Sequence, residues 1–102
     1  MQSGTTLRNR YKIIKPLGSG GFGDTYLAQD SDLPGKPKCV VKHLSPKSSD
    51  PIVLNIARKL FEREAEALYR LGSDSDQVPK LLAHFQEEKE FYLVQEYIEG
   101  QD

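Results

Sequence analysis

The stretch that decides the fold is Gly18-Ser19-Gly20-Gly21-Phe22-Gly23, which places four glycines in six positions. The segments on either side of it, residues 10–17 and 25–28, are rich in β-branched and aromatic side chains and predict two strands. The glycines then form the tip of a β-hairpin, where backbone N–H groups can approach phosphates closely because no Cβ intervenes. A plain flexible turn is the simpler alternative, although four glycines with one Phe exceed what a turn needs.

Two other phosphate-binding motifs share these letters, and the surrounding sequence disfavours both. A dinucleotide-binding G-x-G-x-x-G turn should open a helix, but Gly23 opens a strand, and residues 31–37 contain two prolines and a glycine. A P-loop ends in Gly-Lys followed by Ser or Thr, but here Asp24 follows Gly23, and an aspartate would repel a phosphate. A glycine-rich hairpin is therefore the interpretation that remains.

The rest of the sequence predicts three more strands and one long helix. Residues 39–42 form a third strand, and residues 78–86 and 90–98 form two others joined by a polar turn. Between them, Asp50 and Pro51 predict a helix start, because an acidic N-cap precedes proline at the first helical position. The helical pattern runs to about residue 71, with Gly72 as its stop, and a break within so long a helix is possible. The predicted order is β-β-β-α-β-β.

Two charged residues stand out on these elements. By alternation, Lys42 shares one face of the third strand with Val40, and Cys39 and Val41 share the other. Glu64 falls inside an apolar helical stripe, and a buried carboxylate without a partner costs several kcal/mol. Lys42 is therefore the expected partner of Glu64, unless Glu64 lies at the edge of the stripe and reaches water. The stripe comprises Ala57, Leu60, Phe61, Leu68 and Leu71.

Composition bounds the remaining possibilities. The 102 residues allow one domain with a modest core, and no apolar run is long enough to span a bilayer. The single Cys39 excludes a disulfide scaffold and fits a reducing cytoplasm, and the net charge of −1 gives no reason to expect nucleic acid. Residues 1–47 carry eight basic and three acidic side chains, a charge of +5, and the remaining residues carry six basic and twelve acidic side chains, a charge of −6. This asymmetry is explained equally by an uneven solvated surface and by an anion that binds the first half.

Taken in this order, the features resemble the N-terminal lobe of a eukaryotic-type protein kinase, in the style of bacterial serine/threonine kinases. Residues 17–28 are similar to the family's glycine-rich loop and residues 39–42 to its V-A-I-K strand. Residues 61–65 resemble the helix that supplies the ion-pair glutamate, and residues 95–98 resemble the gatekeeper and hinge. The resemblance covers residues 10–102 and implies an α+β fold, a five-stranded antiparallel sheet with one long helix. Residues 1–9 are expected to form a flexible extension.

The resemblance also implies an ATP site. Backbone amides around residues 21–23 would cover the phosphates, Lys42 would hold the α- and β-phosphates, and Glu64 would hold Lys42. The Glu96 carbonyl and the Ile98 amide would bind the adenine edge. The other residues implied at the site are Leu17, Gly18, Ser19, Gly20, Gly21, Phe22, Gly23, Thr25 and Val40, with Gln95 as gatekeeper, Leu68 in the hydrophobic spine and Asp102 at the ribose.

Two departures from the family pattern lie in the implied adenine slot. Thr25 stands where the family usually has Val, and Val40 stands where it usually has Ala. Val40 adds two methyl groups against the adenine face, and Thr25 adds a hydroxyl. Both are compatible with nucleotide binding, and both would change affinity and inhibitor profile.

The resemblance also limits the expected activity. No H-R-D, D-F-G or A-P-E sequence occurs, so the implied catalytic base and the Mg²⁺ ligands belong to a C-terminal lobe that these residues lack. We therefore expect ATP as the ligand, Mg²⁺ and a Ser/Thr protein substrate as partners of the two-lobed kinase, and no phosphoryl transfer by the 102 residues alone. The alternatives are a truncated interaction module and a pseudokinase-like nucleotide sensor. No nucleic acid or membrane partner is expected.

Overall fold

In the computed structural model, which describes residues 1–19, 23–46 and 49–98, one helix packs against one antiparallel sheet. The elements are β1 (Thr6–Leu7), β2 (Tyr11–Ser19), β3 (Asp24–Asp30), β4 (Lys38–Leu44), α1 (Pro51–Asp74), β5 (Leu81–Glu87) and β6 (Glu90–Glu96). Across the sheet the strands lie in the order β1-β2-β3-β4-β6-β5. The expected α+β architecture with one long helix is confirmed, but the described residues form six strands and not five.

The additional strand comes from the N-terminal residues. Leu7 is buried and pairs with Tyr11 across a tight turn at Arg8 and Asn9, where φ is positive at both residues, as type I′ turns require. The Met1 ammonium donates a hydrogen bond to the hydroxyl of Tyr26 at 3.0 Å. Residues 1–9, expected to be a flexible extension, are thus packed along the sheet. The two-residue strand β1 is too short to produce an alternating pattern in the sequence.

Helix α1 begins as the sequence predicts and ends later. The side chain of Asp50 accepts a hydrogen bond from the backbone N–H of Ile52 at 2.9 Å, and Pro51 occupies the first turn. The helix runs unbroken for 24 residues, past Gly72, so the predicted stop at Gly72 is wrong. Gly72 is buried because its α-carbon lies against the backbone of Pro79 and Lys80, where a Cβ would stand 2.9 Å from the Lys80 Cα. The glycine serves a close approach rather than a helix end.

The buried face of α1 is rotated from the predicted stripe. Phe61 and Ala65 are buried against Phe91 and Leu93 of the sheet. Leu60 and Leu71, both expected in the stripe, are 58% and 56% exposed. The small residue Ala65 contributes little to a hydrophobic pattern, but it lets the helix approach the sheet closely. The inward positions therefore recur at three- and four-residue intervals: Leu54, Ala57, Phe61, Ala65, Leu68 and Gly72.

The sheet has a core on each face. On one face Cys39 and Val41 are buried with residues of β2, β3, β5 and β6, and burial raises the pKa of the Cys39 thiol to about 11. On the other face Phe91 and Leu93 meet the helix. The alternation predicted for β4 is confirmed, because Val40 and Lys42 leave the Cys39 face and line a cleft described below.

Strand β2 changes face along its length. Tyr11 and Ile13 are buried, but Leu17, which regular two-residue alternation would place on the same face, is 46% exposed. The register with β3 shifts between Ile13 and Lys15 and again between Pro16 and Gly18. Each irregularity breaks the two-residue alternation, so Leu17 does not join the core of Tyr11 and Ile13.

Candidate functional site

A cleft of about 540 Å³ opens between the β2–β3 hairpin and the end of β6. The cleft has walls from β2, β3 and β4 on one side and from the residues before β5 and after β6 on the other. Nine of the residues named from the sequence line it: Leu17, Gly18, Ser19, Thr25, Val40, Lys42, Gln95, Glu96 and Ile98. Segments up to 81 positions apart in sequence are thus brought to one site.

Lys42 supplies a positive charge to this cleft. Its strand neighbours are Thr25 on β3 and Leu93 on β6, so the lysine side chain emerges between a hydroxyl and a buried apolar residue. Among the described residues, no carboxylate lies within ion-pairing distance of the Lys42 ammonium. The ammonium is therefore available to an anionic ligand, to which a charge-assisted hydrogen bond is stronger than a neutral one.

Glu64 does not join the site in this structure. Its side chain is exposed, and the ion pairs of the described residues do not include one between Glu64 and Lys42. The expectation of a buried carboxylate that needs a cation is therefore not met. The reason is the helix register: Phe61 and Ala65 point at the sheet, and Glu64 precedes Ala65 by 100° around the helix.

Gly23 has a steric role behind the cleft. Its φ is +146°, and a Cβ at this position would overlap the backbone carbonyl oxygen of His43. The base of the hairpin therefore packs backbone against backbone on β4, one residue after Lys42. Gly20, Gly21 and Phe22, named from the sequence as the loop tip, lie outside the described residues.

The end of β6 forms the far wall. Gln95, expected as gatekeeper, is 5% exposed and pairs with Val40 across the sheet, so its side chain lies at the inner end of the cleft. Glu96 is held by two hydrogen bonds to Lys80: its N–H donates to the Lys80 carbonyl at 3.0 Å, and its Oε1 accepts from the Lys80 N–H at 2.8 Å. Ile98 follows at the cleft edge, and Asp102 lies outside the described residues.

Sequence reasoning missed part of the wall. Val78, Pro79 and Tyr97 also line the cleft, together with Leu68, which had been assigned to the spine. Val78 had been placed at the start of a strand, but β5 begins only at Leu81. The signal that could have located this segment is Pro79, since proline is confined to edges and starts of strands.

A polar cluster lies on the opposite face of β4. The imidazole of His43 stacks on Tyr92 with ring centroids 4.9 Å apart, and its Nε2 lies 3.1 Å from a carboxylate oxygen of Glu90. Burial opposes ionisation of Glu90, but a hydrogen bond from Ser45 and the nearby imidazole outweigh it and lower the pKa of the carboxyl. Burial also raises the pKa of Tyr92 to about 12. These groups lie on the face of β4 that points away from the cleft.

The comparisons with known proteins agree on one group. The chain is 51% identical over 94 residues to serine/threonine-protein kinase PknA of Nostoc sp., and 51% identical over 94 residues to serine/threonine-protein kinase C of Synechocystis sp.. Each match covers 92% of this chain and 17% or 18% of the relative. The chain is similar in sequence to serine/threonine protein kinases, and the extent of the matches is consistent with the N-terminal lobe of such a kinase. No family model matches the sequence.

Solved structures show the same fold. This lobe superposes on the kinase domain of M. tuberculosis PknI with a TM-score of 0.68 and 24% identity, covering 96% of the chain and 36% of that structure. A second solved kinase domain gives a TM-score of 0.75 at 22% identity and covers 94% of the chain. The lobe thus spans about a sixth of the length of the curated relatives it matches and about a third of PknI's kinase domain.

The described part of the lobe offers no metal site and no membrane-spanning helix. Within residues 1–19, 23–46 and 49–98, no three His, Cys, Asp or Glu side chains are grouped closely enough to hold a metal ion. The donors that Mg²⁺ prefers are carboxylate and carbonyl oxygens arranged octahedrally, and this part of the chain does not assemble them. In the same residues, the helix is not apolar enough to cross a bilayer.

Proposed function

We propose that the cleft binds ATP and that the lobe serves a serine/threonine protein kinase. The observation that carries the proposal is the convergence of Lys42 with the hairpin base and the end of β6 around one cleft of about 540 Å³. That volume falls in the range of small-molecule sites. The lining combines apolar side chains with a few polar ones, among them the cation Lys42 and the carboxylate Glu96, and this mixture suits a ligand that has an apolar ring and a charged tail.

Each wall of the cleft has a proposed role. Leu17, Thr25 and Val40 would contact the adenine ring, whose edge would meet the backbone of Glu96 and Ile98. Lys42 would bind the α- and β-phosphates, because its ammonium emerges between β3 and β6 without a carboxylate partner in the described residues. The backbone amides of the glycine-rich hairpin would cover the phosphates from above.

We further propose that Glu64 pairs with Lys42 only after α1 rotates or shifts. In this structure Glu64 faces solvent, and the neighbouring residue Ala65 faces the sheet. A helix rotation of about one residue, 100°, would exchange these positions. The ion pair would then fix the lysine against the phosphates, whereas in the present arrangement Glu64 does not hold it.

Transfer of the γ-phosphoryl group to a protein Ser or Thr hydroxyl is proposed for a protein that joins this lobe to a C-terminal kinase lobe. In this family the catalytic base and the Mg²⁺ ligands belong to that second lobe, so the residues of this chain would bind and orient the nucleotide. A reducing, cytoplasmic location also stays a prediction, based on the single thiol of Cys39.

The exposed apolar face of α1 supports a protein partner. Ile52, Ile56, Leu60 and Leu71 are all more than half exposed, which is unusual for side chains of this kind on one helix. We propose the C-terminal lobe as the partner of this face. The same face would serve a non-catalytic interaction module, and ATP binding separates the two functions, because a module of that kind has no need for Lys42.

The test is a calorimetric titration of the 102-residue chain with ATP. Lys42→Met should weaken ATP binding by about tenfold or more, the value of one or two charge-assisted hydrogen bonds. Lys38→Met is the matched control, because Lys38 lies on the same strand, is exposed and does not line the cleft. Equal affinities for ATP in the Lys42→Met and Lys38→Met chains would refute the proposal.

A further inference from the structure

The end of β6 is tied to the segment before β5 by an interaction that the strand ladder does not require. Pairing of β5 with β6 reaches Leu81 opposite Gln95. One residue further on, the Glu96 N–H donates to the Lys80 carbonyl at 3.0 Å, and the Glu96 carboxylate accepts the Lys80 N–H at 2.8 Å. Both backbone polar groups of Lys80 are thus bound by one residue, Glu96.

The two segments joined by this residue are both walls of the cleft. Val78 and Pro79 precede Lys80 and line the cleft from one side, and Tyr97 and Ile98 follow Glu96 and line it from the other. Neither segment belongs to a strand in the described residues. Their relative position therefore depends on the two hydrogen bonds between Glu96 and Lys80, and a side-chain carboxylate supplies one of them.

Helix α1 also contacts Lys80, one of the two residues joined by these hydrogen bonds. The α-carbon of Gly72 faces the Lys80 Cα and the Pro79 carbonyl oxygen, and a Cβ there would stand 2.9 Å and 3.2 Å from them. Backbone therefore contacts backbone from α1 to Lys80, and Lys80 is bound in turn to Glu96. A shift of the last turn of α1 would press directly on the wall of the cleft.

We propose that the Glu96 carboxylate is a positioning residue for the nucleotide, acting through Lys80 on the backbone of Tyr97 and Ile98. The inference rests on the proposed ATP function of the cleft. The hydrogen bond that the Glu96 side chain accepts from the Lys80 N–H orders the two segments before the ligand arrives, so that less conformational entropy is lost on binding. The carboxylate does not touch the nucleotide.

Three variants of the 102-residue chain test this role. Glu96→Ala removes the acceptor, Glu96→Gln keeps an oxygen that can accept the Lys80 N–H, and Glu87→Ala removes a glutamate at the opposite end of the same β5–β6 hairpin. Calorimetry with ATP should show affinity about fivefold weaker for Glu96→Ala, which is the worth of one hydrogen bond, and affinities within about twofold of the unsubstituted chain for the other two. The proposal is overturned if the Glu96→Ala chain binds ATP as tightly as the unsubstituted chain. It is also overturned if the Glu96→Gln chain binds ATP as weakly as the Glu96→Ala chain.

A second readout needs no nucleotide and separates this inference from the proposed function. In amide NMR spectra of the unliganded chain, Glu96→Ala should speed hydrogen exchange at Lys80 and shift the signals of Tyr97 and Ile98, whereas Glu96→Gln should restore both. If the unsubstituted chain binds no ATP, the proposed function fails, and these spectra still decide whether Glu96 positions the wall. Unchanged Tyr97 and Ile98 signals in Glu96→Ala overturn the positioning role in either case.

Discussion

The α-carbon of Gly23 lies directly against the backbone carbonyl oxygen of His43, next to Lys42 on β4. No side chain fits between them, and the φ of +146° at Gly23 is one that other residues rarely adopt. The hairpin over the cleft can therefore pack onto the lysine-bearing strand only with glycine at this position. The proposed access of phosphates to the backbone would be a second reason for glycines in the loop, at positions other than Gly23.

Gly23→Ala is expected to destabilise the chain by about 1–3 kcal/mol, because the new Cβ meets backbone that cannot move aside and the φ is strained. Gly18→Ala is the matched control for stability, since a Cβ there meets nothing within 4 Å. Urea unfolding of both variants measures the difference. Equal unfolding midpoints for the two alanine variants would show that the close approach of Gly23 to His43 does not contribute to stability.

Adjacent positions on α1 should differ sharply in their contribution to stability. Phe61 is buried with its ring 5.0 Å from that of Phe91, so Phe61→Ala should cost about 3–5 kcal/mol through lost burial and a cavity. Leu60→Ala should change stability by about 0.5 kcal/mol or less, because Leu60 is exposed. Thermal or urea unfolding measures the stability of both variants. A larger loss of stability for Leu60→Ala than for Phe61→Ala would favour the apolar stripe predicted from the sequence.

The sequence predicted the elements better than their faces. The alternation of Val40 and Lys42 against Cys39 and Val41 was clear because strand periodicity is short and the residues are of distinct types. The buried face of α1 was harder to predict, because two apolar stripes run along this helix. The stripe that is buried includes Ala65 and Gly72, which allow close packing because they are small and not because they are hydrophobic. Strand β1 had no pattern to detect, since it spans two residues.

The candidate site, too, could be predicted only in part from the sequence. Lys42 and the hairpin were identified from their residue types and spacing, and the structure places them beside Gln95 and Glu96 in one cleft. The contribution of residues 78–80 could not be predicted, because their position depends on hydrogen bonds from Glu96, sixteen residues later. Such a link leaves no periodic signal in the sequence.

Asp30 should make stability depend on acid pH. Its carboxylate accepts two hydrogen bonds from the Arg10 guanidinium, at 2.8 and 2.9 Å, and these bonds lower the pKa of Asp30 below its usual 3.8 despite burial. A lowered pKa in the folded state means that the stabilisation is complete above about pH 4 and is lost as the pH falls through the folded value. Asp30→Asn should therefore destabilise the chain most at neutral pH.

The measurement is urea unfolding of the unsubstituted chain and Asp30→Asn between pH 7 and pH 2. The gap in unfolding free energy should be about 1–3 kcal/mol at pH 7, as for other charged hydrogen-bond pairs, and should shrink below about pH 4. Asp32 is exposed and serves as the control, since Asp32→Asn should leave the pH profile nearly unchanged. A gap that widens on acidification would contradict the assignment.

Lys42 and Glu64 should be energetically independent in the chain as it stands. Because Glu64 is exposed and no ion pair joins it to Lys42, Glu64→Gln should alter stability by about 0.5 kcal/mol or less. A double-mutant cycle with Lys42→Met measures the coupling directly and should give a value near zero. A coupling above about 1 kcal/mol would mean that the pair already forms in solution and that α1 adopts another register.

If ATP occupies the cleft on one face of β4, the adjacent valines Val40 and Val41 should respond to it differently. Val40 lines the cleft, whereas Val41 is fully buried on the opposite face of the same strand. In methyl NMR spectra of the 102-residue chain, addition of ATP should shift the Val40 methyl signals and leave those of Val41 nearly in place. Unmoved Val40 signals at saturating ATP, or larger shifts at Val41 than at Val40, would show that ATP does not bind in this cleft.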